Sequence, residues 1–310
     1  MAKKRAAKDQ FRFGIGEWYG QNFISLTKEQ RHAYATAPGE PICPFRSTPT
    51  KSFDCKKKDG VCSLRTYQLD AANTVTTVAD DRGRLRAVCP KRLLQNGTIF
   101  SWVGEVLLGT PNPLIAGEVG FLEGEPAETG GKGDDVGRID HVLVHPIADP
   151  LRWCALELQA VYFSGKKMGV DIAAIARHKG DGLPFPVVTR RPDYRSSGPK
   201  RLMPQLQIKV PSLRRWGKKM AVVVDEAFFD ALGRMDDVRD VSNCDIAWFI
   251  VGFDETETGF TLRPRKPRLT TLERAVEGLT GGTAVSCETF EERVRAKLAA
   301  SLRDLQSKRR

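Results

Sequence analysis

Asp140, Glu157 and Gln159, together with four cysteines at 43, 55, 62 and 89, are the positions where this sequence could do chemistry. Asp140 belongs to the strand-like run Gly137-Arg138-Ile139-Asp140-His141-Val142-Leu143-Val144. After a turn marked by Asp149-Pro150 comes Cys154-Ala155-Leu156-Glu157-Leu158-Gln159. This is the layout D-x(n)-[E/D]-x-[K/Q] on two successive strands. Side chains alternate along a strand, so Glu157 and Gln159 share a face. Two carboxylates converging from adjacent strands suit Mg²⁺, which takes hard oxygen ligands and keeps waters for chemistry. Such an ion would polarise a scissile phosphate, generate a hydroxide nucleophile and stabilise the leaving oxygen. The pattern is short and recurs by chance. Asp140 could instead cap a strand-end turn, and Glu157 could face solvent on an edge strand. Against this, Glu157 lies in the apolar run CALELQAV, where a buried, unpaired carboxylate is costly and a ligand role removes the conflict.

The cysteines occur as Ile42-Cys43-Pro44-Phe45, Cys55, Gly60-Val61-Cys62 and Val88-Cys89-Pro90, a spacing of C-x11-C-x6-C-x26-C. Four thiolates converging on a tetrahedron suit Zn²⁺ or iron, and a closed site of this kind is structural because no coordination position remains open. Lys56, Lys57, Lys58 and Lys91 would offset the excess thiolate charge. The alternative is four free, partly buried thiols, but residues 41–90 have few apolar runs in which to bury them. Cys154, Cys244 and Cys287 are scattered, and nothing in the sequence suggests a disulfide framework.

The elements that must position these groups alternate. Leu114–Leu122, Arg138–Val144 and Trp153–Val161 read as strands, and Met220–Val224 and Ile246–Val251 as apolar central strands. Thr27-Lys28-Glu29-Gln30 could open a short helix. Residues 166–180 and 199–217 carry helix-compatible patches. Phe290, Val294, Leu298, Leu302 and Leu305 mark a terminal amphipathic helix, with Glu291 and Glu292 early and Lys308, Arg309 and Arg310 late. Gly130-Gly131-Lys132-Gly133-Asp134-Asp135 lacks phosphate-loop spacing and reads as a flexible connection. The expected fold is α/β or α+β, a mixed, mostly buried sheet flanked by helices. The expected organisation is a basic arm at 1–10, an N-terminal segment with the four-Cys metal module at 11–100, and a catalytic and DNA-recognition core at 101–310.

Forty-nine Lys and Arg against 38 Asp and Glu give a formal net charge of +11, which suits a polyanionic partner such as nucleic acid. The longest apolar run, Ile246–Phe253, is too short to span a bilayer, and the basic N-terminus has no apolar stretch after it. A cytoplasmic protein without membrane contact is expected.

The order ICPF, GVC, VCPKR, RIDHVLV and CALELQAVYFSG resembles the NotI-type restriction endonucleases from about Pro41 to Gly165. The resemblance implies a PD-(D/E)xK nuclease core, a structural iron on Cys43, Cys55, Cys62 and Cys89, and a homodimer cutting a palindromic, GC-rich site in double-stranded DNA. By implication the host also carries a cognate DNA methyltransferase. Asp140 and Glu157 would bind the catalytic Mg²⁺, and Gln159 would stand where most of the wider superfamily has lysine. The family's upstream glutamate would be Glu125, with Glu123 as its rival. Ser164 or Lys166 could touch a phosphate. Arg190, Arg191, Arg195, Lys200, Arg201, Arg214, Arg215, Lys218 and Lys219 form the pool from which base and phosphate contacts would come. Two other readings remain open at this point: a repair or defence nuclease on structured or modified DNA, and a non-catalytic DNA-binding protein with a metal module.

Overall fold

A computed structural model describes residues 10–37, 39–124, 135–281 and 285–307. Glu125, most of the glycine-rich connection, nearly all of the N-terminal arm and the last three basic residues lie outside the described residues. One compact unit ends at Thr280, and a second begins at Gly281.

The first unit opens with a five-stranded sheet: β1 (Phe11–Trp18), β2 (Gln21–Asn22), β3 (Val61–Leu69), β4 (Val75–Thr77) and β5 (Arg86–Ala87). Its order is β2-β1-β3-β4, with β5 also on β3. Helix α1 (Lys28–Thr36) starts where Thr27 and Gln30 cap each other's backbone, so two otherwise unpaired donors are satisfied. Ile15, Trp18, Phe23, Val61, Leu64 and Tyr67 form one core. Val61, Leu64 and Tyr67 thus belong to β1's core, while Cys43, Phe45 and Cys62 pack in a small cluster of their own.

A buried ion pair locks this sheet to the rest of the unit. Arg92 Nε donates to Glu17 Oε2 at 2.7 Å, and both side chains are fully buried. Arg92 also donates to the Phe260 carbonyl, and its guanidinium stacks between Phe45 and Phe253. Removing one partner of such a pair leaves a bare buried charge. We expect Arg92→Ala to lose about 3–5 kcal/mol of stability, measured by urea unfolding; a loss under about 1 kcal/mol, the scale of an exposed pair, would contradict this.

Helix α2 (Thr98–Leu108) leads into the second sheet, which holds β6 (Leu114–Glu123), β7 (Asp135–Val144) and β8 (Trp153–Leu158). A two-stranded ribbon, β9 (Phe163–Ser164) with β10 (Arg191–Pro192), brackets helix α3 (Gly169–Arg177), and helix α4 spans Met203–Arg215. Then come β11 (Met220–Asp225), β12 (Ile246–Glu255), β13 (Phe260–Pro264), β14 (Arg268–Thr270) and helix α5 (Leu272–Thr280). The seven-stranded order is β13-β12-β11-β8-β7-β6, with β14 also on β12. Strands β8, β11 and β12 run parallel, and the outer strands pair antiparallel. The chain is therefore mixed α/β. Met220, Val222 and Val224 face a core shared with Leu206, Val210 and Leu213 of α4. Ala221 and Val223 face another, shared with Ile99 and Val103 of α2. Burial on both faces is why these central strands read as unbroken apolar runs.

Strand β8 stops at Leu158, three residues short of the sequence expectation. The chain leaves the ladder because Val161 N donates to the Ala87 carbonyl, toward the first sheet. In the second unit, helix α6 (Cys287–Ser307) exposes Phe290, Val294 and Leu298. Among the described residues no helix is long and apolar enough to cross a membrane.

Candidate active site

Glu157 lies on β8 between the parallel strand β11 and the antiparallel strand β7. The pairs Val142↔Ala155 and His141↔Leu156 fix the β7–β8 register, and one further step sets Asp140 opposite Glu157. Directly opposed side chains lie on the same face of a sheet. The two carboxylates therefore converge because the register requires it.

They meet in unlike surroundings. Glu157 is 4 % exposed, whereas Asp140 is exposed and lines a cleft of about 880 Å³ that Arg46, Phe53, Lys91 and His141 also border. Burial pushes the Glu157 carboxyl up to about 7; Lys209 pulls it down, and Asp140 pushes it up through charge and side-chain hydrogen bonding. Lys209, on α4, donates from Nζ to Glu157 Oε2 at 2.6 Å and to Gln205 Oε1 at 3.1 Å. It is itself buried, on the apolar stripe of α4 with Leu206, Val210 and Leu213.

A raised carboxyl pKa favours the protonated form in the fold. The contribution of Glu157 is intact below its ordinary value of 4.5 and is lost as pH rises through about 7. Metal-free wild type should therefore lose melting temperature relative to Glu157→Gln between about pH 5 and about pH 8, and Mg²⁺ should restore part of that loss. A wild-type-minus-variant difference that stays flat with pH would exclude a carboxylate in this state.

Gln159 is half-buried. Its amide Nε2 donates to the Ala160 carbonyl at 2.6 Å, and its backbone N–H pairs with Val223. Glu123 ends β6, opposite Asp135. The His141 ring packs against Phe100, and burial lowers its pKa, so it sits in the cleft wall as a neutral ring.

The four N-terminal cysteines are neighbours. Cys43, Cys55 and Cys62 cluster around Phe45, and Cys89 lies close enough to raise the pKa of both Cys55 and Cys62, in which burial is the larger cause. Backbone pairing brings them together two by two. Cys43 N bonds Phe53 O and Cys55 N bonds Pro41 O, while Cys89 N bonds Cys62 O. Gly60, just ahead of Cys62, has φ 64, and a side chain there would run into the Tyr19 ring. All four are free thiols, and among the described residues no group of three or more His, Cys, Asp or Glu is arranged to hold a metal ion.

The pool of basic residues divides. Arg190 is buried in an ion pair with Asp171 and donates to the Lys166 and Lys167 carbonyls, and Arg214 is bound to Asp245 and Glu273. Lys219 is tied to the Ser242 and Cys244 carbonyls. These three hold the fold together. Arg191, Arg195, Lys200 and Arg201 stay exposed, with Arg201 over the Tyr162 ring. Lys209 was not in the pool. Its signal was a lysine at the third position after Leu206, inside an apolar stripe where a solvated charge does not belong.

A comparison with curated proteins finds no match for the chain. The family model described as restriction endonuclease NotI matches residues 29–263, a span that contains β3, the four cysteines, Asp140, Glu157 and Lys209. That span is well over half of the sequence, and this chain belongs to the NotI restriction endonuclease family, whose members are site-specific DNA-cleaving hydrolases.

Proposed function

We propose that the protein is a type II restriction endonuclease with a PD-(D/E)xK-type core. As a homodimer it hydrolyses both strands of double-stranded DNA at one palindromic, GC-rich site, using Mg²⁺ held by Asp140 and Glu157. The observation that carries this reading is the convergence of the two carboxylates, one buried and one open to a cleft. The donor set fits the ion: both groups offer hard oxygens, and a divalent cation would offset the burial, and after it the repulsion from Asp140, that raise the Glu157 pKa. When bound, Mg²⁺ would polarise the scissile phosphate and ease removal of a proton from water.

The protein's own groups set the stage for that chemistry. Burial and the Lys209 contact hold Glu157 in one orientation, while Asp140 faces the cleft, from which DNA would approach. Gln159 carries no charge and positions water or phosphate without acting as a base. Glu125, or Glu123 at the end of β6, would supply a further acidic group. The exposed Arg191, Arg195, Lys200 and Arg201 offer phosphate and guanine contacts. A palindrome matches a two-fold dimer, which places one site on each strand.

The four cysteines would hold one iron or zinc with a structural role. Soft thiolates suit either ion, and what supports the reading is the packing of Cys43, Cys55 and Cys62 around Phe45 with the Cys89 backbone bonded to Cys62. A host would need a cognate methyltransferase to protect its own sites. Incubation with a long unmethylated DNA and Mg²⁺ should give discrete bands whose sequenced ends share one site. A smear, cutting confined to structured DNA, or retarded but intact DNA would each overturn the reading.

A further inference from the structure

We propose that Lys209 is the positive member of the nuclease site, a positioning residue that reaches Glu157 from helix α4 and supplies the fixed charge that β8 lacks at Gln159. The inference rests on the Asp140–Glu157 reading and adds a residue to it. Lys209 Nζ lies 2.6 Å from Glu157 Oε2, and both side chains are more than nine-tenths buried. Its other partner is the neutral Gln205, one turn back on the same helix. An ammonium has three donors, and these two contacts use two of them. The third would be left for a water beside the same carboxylate.

Charge balance gives the contact its function. A phosphodiester entering beside Asp140 and Glu157 makes three negative charges in a partly desolvated place. A divalent cation and one ammonium together match them, whereas a divalent cation alone does not. Gln159 contributes nothing to that balance, and its amide is already turned to the Ala160 carbonyl. The geometry also divides the work on Glu157. Lys209 holds Oε2, and the Glu157 and Asp140 carboxylates would still be the groups to hold the metal. Packing fixes the lysine, because Leu206, Val210 and Leu213 seat α4 on the sheet core. A purely structural lysine would serve only to make burial of Glu157 tolerable. A functional one would also be needed once the metal is bound and the burial cost is already met.

The test uses full-length Lys209→Met, Lys209→Arg and the double variant Lys209→Met/Gln159→Lys. Mn²⁺ titration calorimetry on each protein with a cleavage-resistant analogue of the cognate DNA is the readout independent of activity. We expect Lys209→Met to bind Mn²⁺ within about threefold of wild type yet to cleave on the order of 100-fold more slowly at saturating metal, about 2.7 kcal/mol of barrier. Lys209→Arg should keep most of the rate, and lysine at 159 should return at least about tenfold to Lys209→Met. Wild-type cleavage by Lys209→Met would overturn the proposal. So would a joint loss of Mn²⁺ binding and cleavage that Gln159→Lys leaves unrepaired. Glu157→Ala run alongside separates the two claims: if it cuts like wild type, the metal reading itself has failed. If it is inactive while Lys209→Met is active, only Lys209 is discharged.

Discussion

Glu157→Ala should cleave DNA several orders of magnitude more slowly than wild type while binding it at least as tightly. Glu157 is buried, in contact with Lys209 and pressed by Asp140. Its removal takes away one of two ligands of the proposed cation and with it the activation of water. It also removes a negative charge from beside the phosphate, so binding without metal should hold or strengthen. Asp140→Ala should behave alike, since the two carboxylates serve one ion. Gln159→Ala should be milder, within about tenfold, because an amide orients groups without carrying charge. The measurements are single-turnover cleavage and a gel-shift titration on the same preparations. Retained cleavage by Glu157→Ala would remove the site from β8. Loss of binding together with cleavage would mean instead that the substitution had broken the fold.

Cys62→Ala should have the largest effect on the fold. If the four cysteines hold a metal as proposed, purified wild type should carry about one iron or zinc per chain, and the variant should lose both the metal and soluble expression, because metal-binding free energy then becomes folding free energy. Cys62 is the best buried of the four cysteines, and its carbonyl accepts from both Val88 and Cys89. Those backbone bonds survive the substitution, so Cys62→Ala tests the thiol alone. Iron would give a reddish protein through thiolate charge transfer, and zinc a colourless one. A metal-free wild type that melts cooperatively would show that the sulfurs are merely packed neighbours.

Much of the second sheet could be read from sequence because its code is local. Met220–Val224 and Ile246–Val251 are apolar without interruption, as strands buried on both faces must be. Thr27 and Gln30 announced a helix through a cap that needs only four residues. Asp140 and Glu157 could be paired because one strand follows the other and their faces alternate with period two. The first sheet was hidden for the opposite reason. Strands β1 and β3 carry Glu17 and Arg65 at buried positions, and the partners that make this tolerable, Arg92 and Glu255, lie 75 and 190 residues away. No window of sequence contains both halves of such a bargain. Lys209 escaped in the same way: its carboxylate is 52 residues upstream. Arg190 looked like a candidate for DNA until its long-range pairing with Asp171 took it out of solvent.

Where a divalent ion sits on this protein decides most directly whether Asp140 and Glu157 form the active site. A crystal of the protein with a cleavage-resistant analogue of the cognate duplex and Mn²⁺ allows the ion to be located by its anomalous signal alone. We expect the peak between the Asp140 and Glu157 carboxylates, within about 2.0–2.4 Å of an oxygen from each, with the scissile phosphate against it and Lys209 still on Glu157. A fully occupied ion bound elsewhere, with Asp140 and Glu157 carrying no metal beside the DNA, would contradict that assignment.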